Sequence, residues 1–188
     1  MKNIAIFASG SGTNAENIIN YFQNNRNVSF PLILANKPDA YVLERAKRLG
    51  VPSGVFNRDT FYNKDDVLHQ LQSVNTDLIV LAGFLWLVPG NILRAYPNRI
   101  INIHPALLPN YGGKGMYGMR VHEAVRASGD KETGISIHYV NEKYDEGEII
   151  FQARCAVEES DTPESIAMKV HALEYEHFPV VIEQLLFG

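Results

Sequence analysis

The chain has 188 residues, 46% of them hydrophobic and 20% charged, which fits one globular domain with a substantial core. A net charge of −4 without a basic run argues against nucleic acid as the main partner, and no apolar stretch is long enough to span a membrane. The single cysteine, Cys155, excludes an intrachain disulfide framework and a multi-cysteine zinc site; it reads as a small buried strand residue in a reducing compartment.

Along the chain, MKNIAIFASG reads as a first strand and not as a cleaved leader, because its short apolar run enters a glycine turn; a cytoplasmic protein is expected. TNAENIINYFQNN then places Ile18, Ile19 and Phe22 at helical spacing. FPLILAN is a second buried strand, and DAYVLERAKRLG a helix that stops at Gly50. Thr60 to Val74 reads as one further helix. DLIVLAG, with five successive apolar residues and no alternation, is a strand covered on both faces, and RIINIH is the next strand. Strands alternating with helices over about the first 105 residues imply parallel βαβ units. GISIHYV and GEIIFQARCAV have only NEKYDE between them, too short for a crossover helix, so they should extend the sheet in antiparallel fashion. Thr162 is the expected cap of a last helix with Pro163 in its first turn, and Pro179 should kink or split that helix. The fold expected is a single doubly wound α/β domain over residues 1–188, with a mixed, mostly parallel sheet.

Three stretches carry chemistry. SGSGTNAEN joins the first strand to the first helix; Gly10 and Gly12 free the backbone to present N–H groups to an anion at the helix start. A plain turn capped by Thr13 is the simpler reading. Gly10-x-Gly12-x-x-Ala15 also meets a dinucleotide fingerprint, but the acid that should end the second strand is replaced by Asn36-Lys37. INIHP sets Asn102 and His104 on one face at the carboxyl end of a strand, with Pro105 closing it. The amide can donate to an oxygen gaining charge, and the imidazole can move a proton near neutral pH. A carboxylate at Asp145, in the turn before Gly147, would raise the His104 pKa if brought beside it. His104, His138 and Asp145 could alternatively hold a metal, but no pair of histidines has helix-borne i, i+4 spacing, and no metal is expected. His69, His122, His171 and His177 fall on expected helices as surface or packing residues. LAGFLWLV, with Trp86, could line a pocket for a flat heterocycle or simply staple the core. YGGKGMYGM is a glycine-rich loop carrying Lys114, expected beside the site or as plain surface.

Taken in order, SGSGTN, LAGF, INIHPALLP, GISIHYV with DEGEII, and the Pro163 to Pro179 helix resemble the glycinamide ribonucleotide formyltransferases over nearly the whole chain. The resemblance implies the formyltransferase fold, with residues 1–100 binding nucleotide phosphate and 101–188 carrying catalysis and the folate loop. It implies transfer of a formyl group from 10-formyltetrahydrofolate to the amine of glycinamide ribonucleotide in purine biosynthesis. Asn102, His104 and Asp145 match the catalytic trio. Ser11, Gly12, Thr13 and Asn14 match the phosphate loop, and Ile103, Pro105 and Glu174 match further ribonucleotide contacts. Leu85, Trp86, Leu87 and Val88, with Asn102, His138, Asn141 and Asp145, match the folate pocket. Trp86 stands where some members carry Arg, and the 111–119 loop is longer and richer in glycine than in many. The partners implied are the two small molecules, with no nucleic acid and no membrane, in a monomer or homodimer. A hydrolytic deformylase, a NAD(P)-dependent oxidoreductase and a non-enzymatic nucleotide- or folate-binding module are the alternatives.

Overall fold

A computed structural model describes residues 1–188, which form two compact units, Met1–Ile101 and Asn102–Gly188. Seven strands make one sheet: β1 (Lys2–Ala8), β2 (Val28–Ala35), β3 (Ser53–Val55), β4 (Leu78–Leu81), β5 (Ile100–His104), β6 (Glu132–Tyr139) and β7 (Ile149–Ala156), in the order β3-β2-β1-β4-β5-β6-β7. The expected doubly wound mixed sheet is present.

In the first unit β1 pairs in parallel with β2 and with β4, and β2 with β3. β1 is therefore central, which explains why Ile4 to Ala8 are wholly buried without alternation. The chain turns one way from β1 to reach β2 and the other way to reach β4, and ligands of open α/β sheets bind at such a switch point. Helix α1 (Thr13–Tyr21) buries Ala15, Ile18 and Ile19, and α2 (Val42–Leu49) ends on the left-handed Gly50. Phe7, Phe56, Phe61 and Phe84 pack around one another with ring centroids 4.6 to 6.3 Å apart.

The single helix expected from Thr60 to Val74 is instead two, α3 (Arg58–Tyr62) and α4 (Asp66–Ser73). The buried stripe runs from Phe61 to Val67 and Leu71, and the positions one turn beyond Phe61 are the exposed Lys64 and Asp65. A helix with no apolar residue on its inner face there gains nothing by continuing. Asn57 and Thr60 form a capping box that fixes where α3 starts. The short edge strand β3 and helix α5 (Gly90–Ala95) lacked a periodic signal in the sequence.

In the second unit α6 (Met119–Ser128) buries Val121, His122 and Val125, and β6 and β7 pair antiparallel as expected. Helix α7 (Pro163–Phe187) begins with the Thr162 capping box and Pro163. It is not split at Pro179: the helix is continuous through it. Phe178, Pro179, Val181 and Ile182 are all buried, and that apolar contact offsets the hydrogen bond a proline forfeits. Cys155 lies in β7 but is half-buried, not buried, because β7 is the sheet's edge. No helix is long and apolar enough to cross a membrane.

Candidate functional site

In the first unit, the loop after β1 reaches α1 through Ser11 and Gly12. Gly12 itself precedes the helix, at φ +75°, and no side chain caps it, so Thr13 is the first helical residue and not the cap. A Cβ on Gly12 would sit 2.4 Å from Val42 Cγ2, so only glycine fits against the start of α2. Val42 N–H donates to the Gly10 carbonyl at 3.1 Å, and Arg45 Nε–H to the Ser11 carbonyl at 2.8 Å. Arg45 is in turn paired with Glu16 of α1. With those carbonyls engaged from α2, the loop is left to offer N–H groups at a helix start, which suits a phosphate. Arg45 was not visible as a site residue in the sequence, since it acts from a helix 34 positions away.

The Leu85–Val88 segment follows β4 and is half-buried apart from the buried Val88. Trp86 is flanked by the Tyr62 ring, 6.1 Å away at 30°, and by the Arg58 guanidinium 4.6 Å from its ring centroid. It also lies against Phe56 and Phe61, the contacts expected of a core staple.

In the second unit, Asn102, His104, His138 and Asp145 come together. His104 is 4% exposed. Its Nε2–H donates to the Tyr111 carbonyl at 2.7 Å, and its Nδ1 stands 3.5 Å from Asp145 Oδ2. Asp145 Oδ2 also accepts from Gly113 N–H at 3.0 Å. His138 Nδ1 lies 2.8 Å from the Tyr139 carbonyl, and its Nε2 is 3.1 Å from Asn102 Nδ2 and 3.6 Å from Asp145 Oδ1. With the His138 proton on Nδ1, Nε2 accepts one hydrogen of the Asn102 amide. The other amide hydrogen makes only a long, weak bond of 3.5 Å to Asp145 Oδ1, which a ligand oxygen can displace.

Backbone strain accompanies this convergence. Tyr111 and Asp145 hold φ values of +56° and +55°, and both touch His104. Gly147 lets the Asp145 turn close: a Cβ there would fall 1.6 Å from the Tyr139 carbonyl oxygen. The Tyr111 carbonyl escaped sequence reasoning because any residue carries one; only the fold assigns its partner.

Electrostatics correct one expectation. The His104 pKa is lowered, not raised. Burial disfavours its charged form, and this outweighs the upward pull of Asp145, the Tyr111 carbonyl and the buried Glu174. Burial would raise Asp145, but the attraction of its carboxylate to His138 and His104 when those rings carry an added proton, together with Gly113 N–H, leaves its carboxyl below the usual range. The cluster at rest is thus a carboxylate beside a neutral imidazole.

Ile103 is buried and Pro105 half-buried on either side of His104. Glu174 is 4% exposed and accepts from His171 Nδ1–H at 2.9 Å, which raises the His171 pKa. Asn141 is exposed, and its Oδ1 accepts from Lys143 N–H, so its side chain serves the turn leading to Asp145. His122, expected as a surface or packing residue, is a packing one at 2% exposure.

A family model described as formyl transferase matches residues 2–182. The phosphoribosylglycinamide formyltransferase of Bacillus subtilis is 41% identical over 191 residues, covering 99% of this chain and 95% of the relative. That of Haemophilus influenzae is 38% identical, covering 100% of this chain and 89% of the relative. The crystal structure of phosphoribosylglycinamide formyltransferase from Bacillus halodurans aligns with a TM-score of 0.88 at 38% identity, over 100% of this chain and 96% of that one. A match spanning nearly the whole chain, in sequence and in structure, makes this protein a member of the formyl transferase family of enzymes.

Proposed function

We propose that this protein transfers the formyl group of 10-formyltetrahydrofolate to the amine of glycinamide ribonucleotide, in de novo purine biosynthesis. The observation that carries the reading is the meeting of an amide, a buried imidazole and an ionised carboxylate at the carboxyl end of β5. The folate supplies a one-carbon group already activated toward an amine, so the chain's own residues need only orient, polarise and move a proton. The Asn102 amide hydrogen held only weakly by Asp145 turns to the formyl oxygen and donates to it as it gains charge. His104, neutral at rest with Nε2–H held by Tyr111, has Nδ1 left to take the proton shed by the attacking amine. The imidazolium so formed lies beside Asp145, which stabilises it, and it returns the proton to the folate nitrogen as the bond from that nitrogen to the formyl carbon breaks and tetrahydrofolate leaves.

The main-chain N–H groups of Ser11 to Asn14 are assigned to the ribonucleotide phosphate. Ile103 and Pro105 are assigned to its body, and Glu174 to a hydroxyl donor. Leu85 to Val88, His138 and the turn from Asn141 to Asp145 are assigned to the folate, and Trp86 offers it an aromatic face. The protein is read as cytoplasmic, a monomer or homodimer acting on two small molecules, with no nucleic-acid or membrane partner and no metal. The test is an assay with both substrates. Formylated ribonucleotide and tetrahydrofolate should appear in equal amounts; formate release without ribonucleotide would instead indicate a hydrolase.

A further inference from the structure

At the switch point of the first unit, the loop leaving β1 and the segment leaving β4 diverge. Their roots are tied by one residue. Ser9, the first past β1, is 4% exposed. Its N–H donates to the Gly83 carbonyl at 3.0 Å, and its Oγ accepts from Leu85 N–H at 3.0 Å. Gly83, at φ +72°, makes the turn between these two bonds. One residue thus holds both the carbonyl and the N–H of a turn, and the second bond needs a hydroxyl.

The residue after Ser9 opens the phosphate loop, and Leu85 opens the segment assigned to folate. Beyond Leu85 the segment has a second attachment. Tyr62 Oη–H donates to the Leu87 carbonyl at 2.9 Å, and Arg58 and Tyr62, one helical turn apart on α3, both pack on Trp86. With α3 holding its middle, Ser9 decides where the segment starts relative to the phosphate loop.

We propose that Ser9 is a positioning residue for the formyl donor: through Leu85 it sets the Leu85–Val88 segment in register with the ribonucleotide loop, without touching either ligand itself. The identity of the ligands rests on the function proposed above; the tie does not. Ser9→Ala leaves a main-chain N–H with no acceptor, a loss that corresponds to about a tenfold weakening of what depends on it. KM for 10-formyltetrahydrofolate should rise about tenfold, while kcat and the ribonucleotide KM stay within about twofold. Ser9→Thr, which keeps the hydroxyl, should restore the folate KM.

A readout independent of activity comes from Trp86, the only tryptophan. In unliganded Ser9→Ala its fluorescence anisotropy should fall and acrylamide should quench it more readily, with Tm lowered by no more than roughly 5 °C. Hydrogen exchange in the unaltered protein completes the test, because Leu85 N–H should be protected. Free exchange at Leu85, an unmoved Trp86 signal, or an equal rise in both KM values would overturn the proposal. If the unaltered protein turns over no formyl-folate, the functional reading falls, and the Trp86 and exchange measurements still decide the tie.

Discussion

In the Ser11–Asn14 loop the groups suited to a ligand are main-chain N–H groups, held by a glycine that no other residue can replace against Val42. In the Asn102–His104–Asp145 cluster they are side-chain atoms, each already in contact with another and two of them shifted in pKa. The first arrangement depends on backbone alone; the second depends on the identity of its side chains and on the backbone of Tyr111, Gly113 and Asp145 that holds them. A binding site for an anion needs only fixed dipoles, whereas proton movement needs groups whose charge can change.

Substitutions should separate the two regions cleanly. Asp145→Asn, which keeps shape and removes charge, should lower kcat by roughly 10²–10⁴-fold with little change in either KM. A comparable rise in KM would mean that the carboxylate binds instead of assisting chemistry. Gly12→Val should raise the ribonucleotide KM by roughly 10–100-fold, from a strained left-handed backbone and the clash with Val42, and leave folate binding nearly intact. Equal weakening of both ligands would erase the distinction between the regions.

Smaller effects sharpen the contrast. Titrated by NMR, His104 should protonate below the ordinary value of about 6.5, since burial dominates. A reaction that starts from neutral imidazole should slow as pH falls through that lowered pKa and level off toward neutral pH. Asp145→Asn removes an upward pull, so the His104 pKa should fall further. An identical pKa in both proteins would uncouple the pair. The smallest signal is optical: saturating folate should quench Trp86 after correction for folate absorbance, and ribonucleotide alone should do much less. An unchanged spectrum would leave Trp86 as core only.

What could be read in the sequence follows from what each feature depends on. Buried strands announce themselves as unbroken apolar runs, so β1, β2, β4 and β5 were legible, and the place of Asn102 and His104 at a strand end followed from them. Asp145 could be named but not placed, because its approach to His104 depends on a left-handed turn and on Gly147. The sign of the His104 shift depends on how completely the ring is buried, which no residue pattern encodes. Arg45, Tyr111 and Ser9 act through hydrogen bonds in which one partner is a main-chain group brought from elsewhere in the fold, so no residue pattern gave their roles. The split expected at Pro179 does not occur, because apolar contact along α7 keeps the helix continuous there.

The left-handed backbone at Asp145 restricts how this enzyme can change over time. Aspartate and asparagine enter that conformation far more readily than longer or branched residues. Glutamate would keep the charge but has no such backbone preference, and asparagine would keep the backbone but lose the charge. Any single-step replacement at this position therefore sacrifices one requirement, and neutral drift should leave it in place while the exposed residues on either side, Lys143 and Glu146, exchange freely.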